Sequence, residues 1–309
     1  MLCGYRVTDT TKPWVCSDGA IIKISRGYRG LYKHMLKFSP DLVEFLKHKA
    51  LWVREETLKM HSIAPETRLA SSLSDVEIFV VLYYCKILNY DSQDIQCEQR
   101  DRFIVSKGHG AVSLYPILAD VGYFDKDELG QICQENSMLG SIPDNVPGLE
   151  TINGSLGHGP GVGCGIALAL KRKKINAKVF VLTGDGELNE GAIWEAIMFA
   201  SHHKLDNLLL IVDNNRMSML DYQKNIIDLE PLDEKFKAFN WKVKVVDGHN
   251  VEELFVALKD LKEDESICPK VLIANTKKGK GVPGLEMTPL CHIRSLRKEE
   301  IDDILMSLK

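Results

Sequence analysis

From about residue 160 onward, short apolar runs alternate with segments of helical period, and this alternation limits the folds open to the chain more than any other feature. The apolar runs cover 178–183, 208–213, 242–246 and 270–274, and helix-period stretches cover 160–173, 191–203 and 251–262. Strands that are apolar on every side chain need cover on both faces, and helices placed between parallel strands supply it. The expected fold class is therefore α/β, a parallel β-sheet flanked by helices on both faces. In an open sheet of this kind ligands bind beyond the carboxyl ends of the strands. The loops at those ends read GDGELNEG, DNNRMSM, DGHN and TKKGKG. Upstream, 42–60 and 74–87 have helical spacing, and 106–121 reads as a glycine-rich loop running into a helix. Residues 1–40 show no clear period and are expected to form an N-terminal arm or extension, with 41–309 as the main domain.

Charge and composition exclude several function classes. Thirty-nine lysines and arginines face 43 aspartates and glutamates, a net charge of -4 that argues against nucleic acid as a partner. The longest nearly apolar run, 76–85, is about half of what a bilayer requires, so no membrane span is expected. The first residues, MLCGYRVTDTTKPW, lack the apolar stretch of a secretory signal, which makes the cytoplasm the expected location. Eight cysteines contain no CxxC pair and mostly have apolar neighbours, so they read as small buried hydrophobes. The basic cluster 171–174 reads as a solvated helix end.

The most informative stretch is GDGELNEGAIWEAIMFASHHKLDNLLLIVDNN. It sets Asp185 just after one apolar run and Asn215 just after the next, one strand-helix-strand unit apart. Neighbouring parallel strands lie about 4.8 Å apart, so the carboxylate and the amide oxygen can converge on one ion. Oxygen ligands suit Mg²⁺ or Ca²⁺, and Mg²⁺ usually completes its shell with phosphates and water. Gly184 and Gly186 would let the backbone approach a diphosphate, at the positive end of the following helix. A GDG alone is also an ordinary strand-to-helix turn.

A GDG followed about thirty residues later by NN resembles the thiamine-diphosphate motif, and its wording is similar to the transketolase family. SKGHGAVSLY (106–115), NGSLGHGPGVGCGIALAL (153–170), LEPLDEKFKAFNWKVKVVDGHN (229–250) and KKGKGV (277–282) resemble that family in the same order, over roughly 60–300. The resemblance is closest to the stand-alone N-terminal half of a split transketolase, with the thiamine-diphosphate-binding fold. It implies that Asp185, Asn215 and the carbonyl of Met217 hold Mg²⁺, with Ca²⁺ or Mn²⁺ as substitutes. It implies further that His109, Gly154, Leu156, His158, Gly184, Gly186 and Glu187 line thiamine diphosphate. Simple turn or packing roles remain the alternative for His109 and Gly154. Glu190 and Glu195 match acids that lie at the family's subunit interface on a proton path between paired sites; the helix macrodipole alone would also favour Glu190. His292 matches a family histidine facing cofactor and substrate, with a surface histidine as the alternative. His202 and His203 read as structural and His249 as a loop cap.

Two departures fall on the substrate side. Arg68, in ETRLASSLSDVEI, stands where the family has a histidine, and Ile142 or Ser141, in LGSIPDN, stands at a second. An arginine can grip a carboxylate or phosphate through two bonds, and RLASSL also resembles deoxyxylulose-phosphate synthases, which use pyruvate. The implied reaction is transfer of a two-carbon ketol, or of an acyl unit, from a ketose or 2-oxo acid donor to an aldehyde acceptor. The family's pyrimidine-binding half is missing, so the resemblance implies a second subunit carrying the pyrimidine-binding and C-terminal domains, in an α2β2 heterotetramer. Sugar phosphates or 2-oxo acids are the expected small-molecule substrates. Two other readings stand beside this one: the alpha subunit of a 2-oxo acid dehydrogenase-type complex, and a catalytically inactive regulatory paralogue.

Overall fold

The computed structural model describes residues 39–308 and, by backbone alone, two short antiparallel strands, β1 (Trp14–Val15) and β2 (Ile21–Ile22). The arm expected over 1–40 otherwise lies outside the described residues, as do Cys3 and Cys16. Ser39 accepts a bond from Leu42 N at 3.2 Å and Pro40 follows it, so the chain enters α1 (Pro40–Ile63) through a regular cap. Next come α2 (Leu69–Leu73), α3 (Val76–Tyr84), β3 (Arg102–Val105) and α4 (Tyr115–Asp120). The alternating part begins with α5 (Gly159–Arg172), β4 (Val179–Gly184), α6 (Gly191–His202) and β5 (Leu208–Asn214). It continues through α7 (Gln223–Ile226), α8 (Leu232–Ala238), β6 (Lys242–Asp247), α9 (Val251–Glu263), β7 (Lys270–Asn275) and α10 (Lys298–Ser307).

Five strands form one parallel sheet in the order β3-β4-β5-β7-β6. Side chains alternate across it. Phe180, Leu182, Leu209 and Ile211 face a core built with α1, α3, α4 and α9, while Val179, Val181, Leu208, Leu210 and Val212 face a second core with α5, α6 and α8. Both faces are covered, as the continuous apolar runs require. A third cluster joins Leu58 and Leu73 to Met217, Val282, Leu285, Cys291 and Ile301, and it seats the segment after β7 against α1 and α2.

Three local expectations change. The edge strand β3 has only four residues, too few for a periodic signal, yet it pairs along its whole length with β4. The helix expected over 74–87 is α3 alone, preceded by the separate turn of α2. Among the described cysteines Cys85, Cys164 and Cys291 are buried, Cys97 and Cys268 are half-buried and Cys133 is exposed. Among the described residues no helix is long and apolar enough to cross a membrane. Because the strands are parallel, the segments leaving β3, β4, β5 and β7 emerge on one edge, which brings Lys107 and His109, Asp185, Asn215 and Lys278 into one neighbourhood.

Candidate functional site

Asp185 leaves β4 with its carboxylate buried. It accepts the backbone N–H of Gly186 at 2.8 Å and that of Arg216, from the neighbouring loop. Among the described residues no basic side chain bonds to it. Burial, together with Asp213 nearby, pushes its carboxyl up to about 7. Asn215 donates its Nδ2 to Asp213 at 2.9 Å, and its Oδ1 accepts Met217 N–H at 3.1 Å. The Met217 carbonyl accepts from Lys278 Nζ at 3.4 Å, and Ser218 O accepts from the same ammonium at 2.8 Å. Lys278 is 4% exposed, and burial lowers its pKa.

The oxygens of Asp185, Asn215 and Met217 thus stand at the ends of two adjacent strands. The set fits a hard divalent cation: three oxygen donors of different kinds, one of them a buried carboxylate bonded to no basic side chain among the described residues. Among the described residues no group of three or more His, Cys, Asp or Glu could hold a metal.

Beside this lies a second group. His109 and His292, far apart in sequence, meet edge to face with ring centroids 5.0 Å apart. His292 Nδ1 lies 2.9 Å from Ser71 Oγ, and Ser72 Oγ donates to His109 O at 3.3 Å, so one short helix, α2, touches both. Burial, then Lys278, Arg68 and Lys107, push His292 down to about 3. Burial and the same cations hold His109 well below its ordinary value. Both rings are therefore neutral near pH 7, each with one donor and one acceptor nitrogen. Arg68 is the residue from which the chain enters α2, just ahead of Ser71 and Ser72. It is half-buried, and its guanidinium has no acceptor among the described residues. Ile142 lies beside Gly108, 40% exposed.

Glu187 faces inward, away from this edge. Its carboxylate accepts Gly157 N–H at 2.8 Å, Gly184 N–H at 3.2 Å and the Ser106 hydroxyl, tying three loops together from behind. Its three partners make it a holder of the loops. Gly157 needs to be glycine: its φ is +88°, and a Cβ would meet Glu190 Cβ at 2.8 Å. Gly154 and His158 are exposed and Leu156 is half-buried along the same loop. Glu190 and Glu195 are exposed, the latter on α6 beside Met198 and Phe199, 49% and 39% exposed. His249 donates from Nδ1 to Glu77 at 3.0 Å and accepts Lys277 N–H at 2.8 Å, bracing the loop that carries Lys278. His202 and His203 meet edge to face at the far end of α6.

Sequence reasoning passed over Lys107, Asp75, Asp213 and Lys278. Lys107 is 2% exposed and bonds Asp213 and Asp75. Burial works against its charge, yet the two carboxylates hold the ammonium above its usual value. The signal for Lys107 and Asp213 was present as charged residues touching the ends of apolar runs, in FIVSKGHG and LLLIVDNN.

A parallel sheet whose carboxyl edge gathers these oxygens, neutral imidazoles and buried cations defines a cofactor-binding α/β domain of the diphosphate-holding kind. Residues 65–308 match the family model described as "Transketolase, thiamine diphosphate binding domain", and the chain belongs to the transketolase family through that domain. It is 37% identical over 267 residues to one subunit of the apulose-4-phosphate transketolase of Actinobacillus succinogenes, covering 85% of this chain and 96% of that protein. The 6-deoxy-6-sulfo-D-fructose transketolase subunit SqwG of a Clostridium species is 36% identical, covering 82% of this chain and 92% of that one. The crystal structure of transketolase from Campylobacter jejuni superimposes with a TM-score of 0.78 at 29% identity, over 86% of this chain. The chain spans only 42% of that longer protein, and likewise 42% of human transketolase.

Proposed function

We propose that this chain is the diphosphate- and Mg²⁺-holding subunit of a split transketolase-like enzyme, which moves a two-carbon ketol, or an acyl unit, from a ketose or 2-oxo acid donor to an aldehyde acceptor. The observation that carries the reading is the bond from Arg216 N–H, in the loop after β5, to the Asp185 carboxylate at the end of β4, which brings Asp185 beside the Asn215–Met217 segment. Asp185, Asn215 and Met217 O would hold the cation, with Ca²⁺ or Mn²⁺ able to substitute. Gly154, Leu156, His158, Gly184, Gly186 and His109 would lie along thiamine diphosphate. When bound, that cofactor supplies the chemistry by which the carbon–carbon bond beside a carbonyl is broken and remade. The protein's own part is to bind, orient and hold protons: neutral His109 and the ring nitrogen of His292 that Ser71 leaves free can each bond to a substrate oxygen, and Arg68 can take an anionic group.

The names of two relatives support a partner, since each is one subunit of a transketolase, and both carry an anionic sugar in the substrate name. The exposed Glu190, Glu195, Met198 and Phe199 would form part of the surface where the second subunit, with the pyrimidine-binding and C-terminal domains, assembles into α2β2. The cytoplasm is the proposed location. Asp185→Ala is expected to abolish Mg²⁺-dependent binding of thiamine diphosphate by the assembled enzyme, with the circular dichroism spectrum unchanged. Calorimetry showing unchanged affinity would overturn the assignment.

A further inference from the structure

Asp213, one residue before the end of β5, sits directly behind Asn215 and is fully buried. Among the described residues its carboxylate bonds only to donors: Ser74 Oγ at 2.7 Å, Asn215 Nδ2 at 2.9 Å, Lys107 Nζ and Thr276 Oγ1. These come from the α2–α3 junction, the loop after β5, the loop after β3 and the loop after β7. An ionised carboxylate has no hydrogen to offer, so it accepts only. The nitrogen of the Asn215 amide must therefore turn toward it, and the oxygen must turn away. That oxygen then accepts Met217 N–H with one lone pair and keeps the other.

We propose that Asp213 is a positioning residue that decides which end of the Asn215 amide faces the cation. The inference rests on the reading that Asp185, Asn215 and Met217 hold a divalent ion. A flipped amide would present its NH₂ to that ion and lose a ligand outright. A neutral side chain of similar size would support the backbone equally well, but it could not choose between oxygen and nitrogen. Lys107 completes the device: its ammonium pairs with the same Asp213 oxygen that accepts Asn215 Nδ2, so the carboxylate stays an acceptor in the interior, and Asp75 shares that charge.

The test measures the Mn²⁺ dissociation constant of the assembled enzyme, this chain with its partner subunit, by electron paramagnetic resonance with thiamine diphosphate present, alongside thermal midpoints in metal-free buffer. Removing an outer partner of a metal ligand weakens metal affinity by roughly 10- to 100-fold, and a loss of that size is expected for Asp213→Ala. The exchanged pair, Asp213→Asn with Asn215→Asp, restores a donor facing an acceptor and should return affinity close to wild type. A purely structural role would lower the thermal midpoint without this recovery. Asp213→Ala with wild-type affinity, or an exchanged pair no better than Asp213→Ala, overturns the positioning role. Asp185→Ala separates the two levels: if it too binds Mn²⁺ normally, the cation reading itself falls, whereas its loss beside an unaffected Asp213→Ala removes the positioning role alone. Should Asp213→Ala fail to fold, hydrogen exchange of the Asn215 side-chain amide in the wild-type protein decides. Slow exchange with and without Mg²⁺ is expected, and exchange at solvent rates overturns the proposal.

Discussion

At the scale of single residues, Arg68 carries the clearest departure from the family pattern. Arg68 is half-buried, its guanidinium has no acceptor among the described residues, and it lies near enough to His109 and His292 for its charge to help hold both rings neutral. Desolvating a guanidinium without a partner is costly, and an anionic substrate group is the partner its surroundings allow. Arg68→Ala should therefore raise the Michaelis constant of the anionic donor by tenfold or more, about 1.4 kcal/mol or above, and leave that of the acceptor nearly unchanged. Initial-rate kinetics with each substrate varied in turn checks this, and equal effects on both would remove the role. The position of Arg68 was readable from the motif around it. That it stands unpaired beside two neutral rings was not, because the rings belong to segments far apart in the sequence.

At the scale of elements, the contact of α5 with β4 is set by side-chain size. Gly163 turns toward the sheet, and a Cβ there would stand 2.6 Å from Val181 Cγ2, so the helix rests on the strand with no space for a methyl group. Gly163→Ala should force that layer apart and destabilise the chain by about 1–3 kcal/mol, read as a lower urea midpoint with an unchanged slope. The consequence reaches the site, because the loop before α5 carries Gly157 and the end of β4 carries Asp185. The strands and helices of this half were legible because each is long and periodic. The strand β3 was not, since four residues such as Arg102–Val105 declare themselves only through the neighbour they pair with.

At the scale of the whole molecule, His61 ties distant parts of the chain together. It is fully buried in α1, its Nδ1 lies 2.7 Å from Thr67 Oγ1, and its Nε2 accepts Leu296 N–H at 3.2 Å, close to the start of α10. Burial pushes its pKa down to about 4, against the opposing pull of Glu66. In the unfolded chain the ring titrates near its ordinary 6.5. Above that value neither state is protonated; between 6.5 and about 4 only the unfolded state takes up the proton. Stability is therefore present above pH 6.5 and falls as the pH drops through this window, by about 3 kcal/mol in total. Urea denaturation at pH 7.5 and pH 4.5 should show the loss, and His61→Gln should shrink the difference between the two conditions. An identical difference in the variant would show that His61 does not carry it.

What the sequence determined by itself was the class of fold and the chemistry of one edge. Apolar runs alternating with helical segments admit little besides a covered parallel sheet, and a GDG and an NN at the ends of successive runs necessarily lie side by side once those runs pair in register. These are local patterns joined by one topological rule. Only the tertiary structure decided that His292 meets His109, that Glu187 turns inward to hold three loops, and that Lys107 is spent on Asp75 and Asp213. Each depends on contacts between segments remote in sequence, and on whether a side chain faces its own sheet edge or the interior behind it. A period of 2.0 or 3.6 residues assigns a face; it does not say what the opposite element will place there.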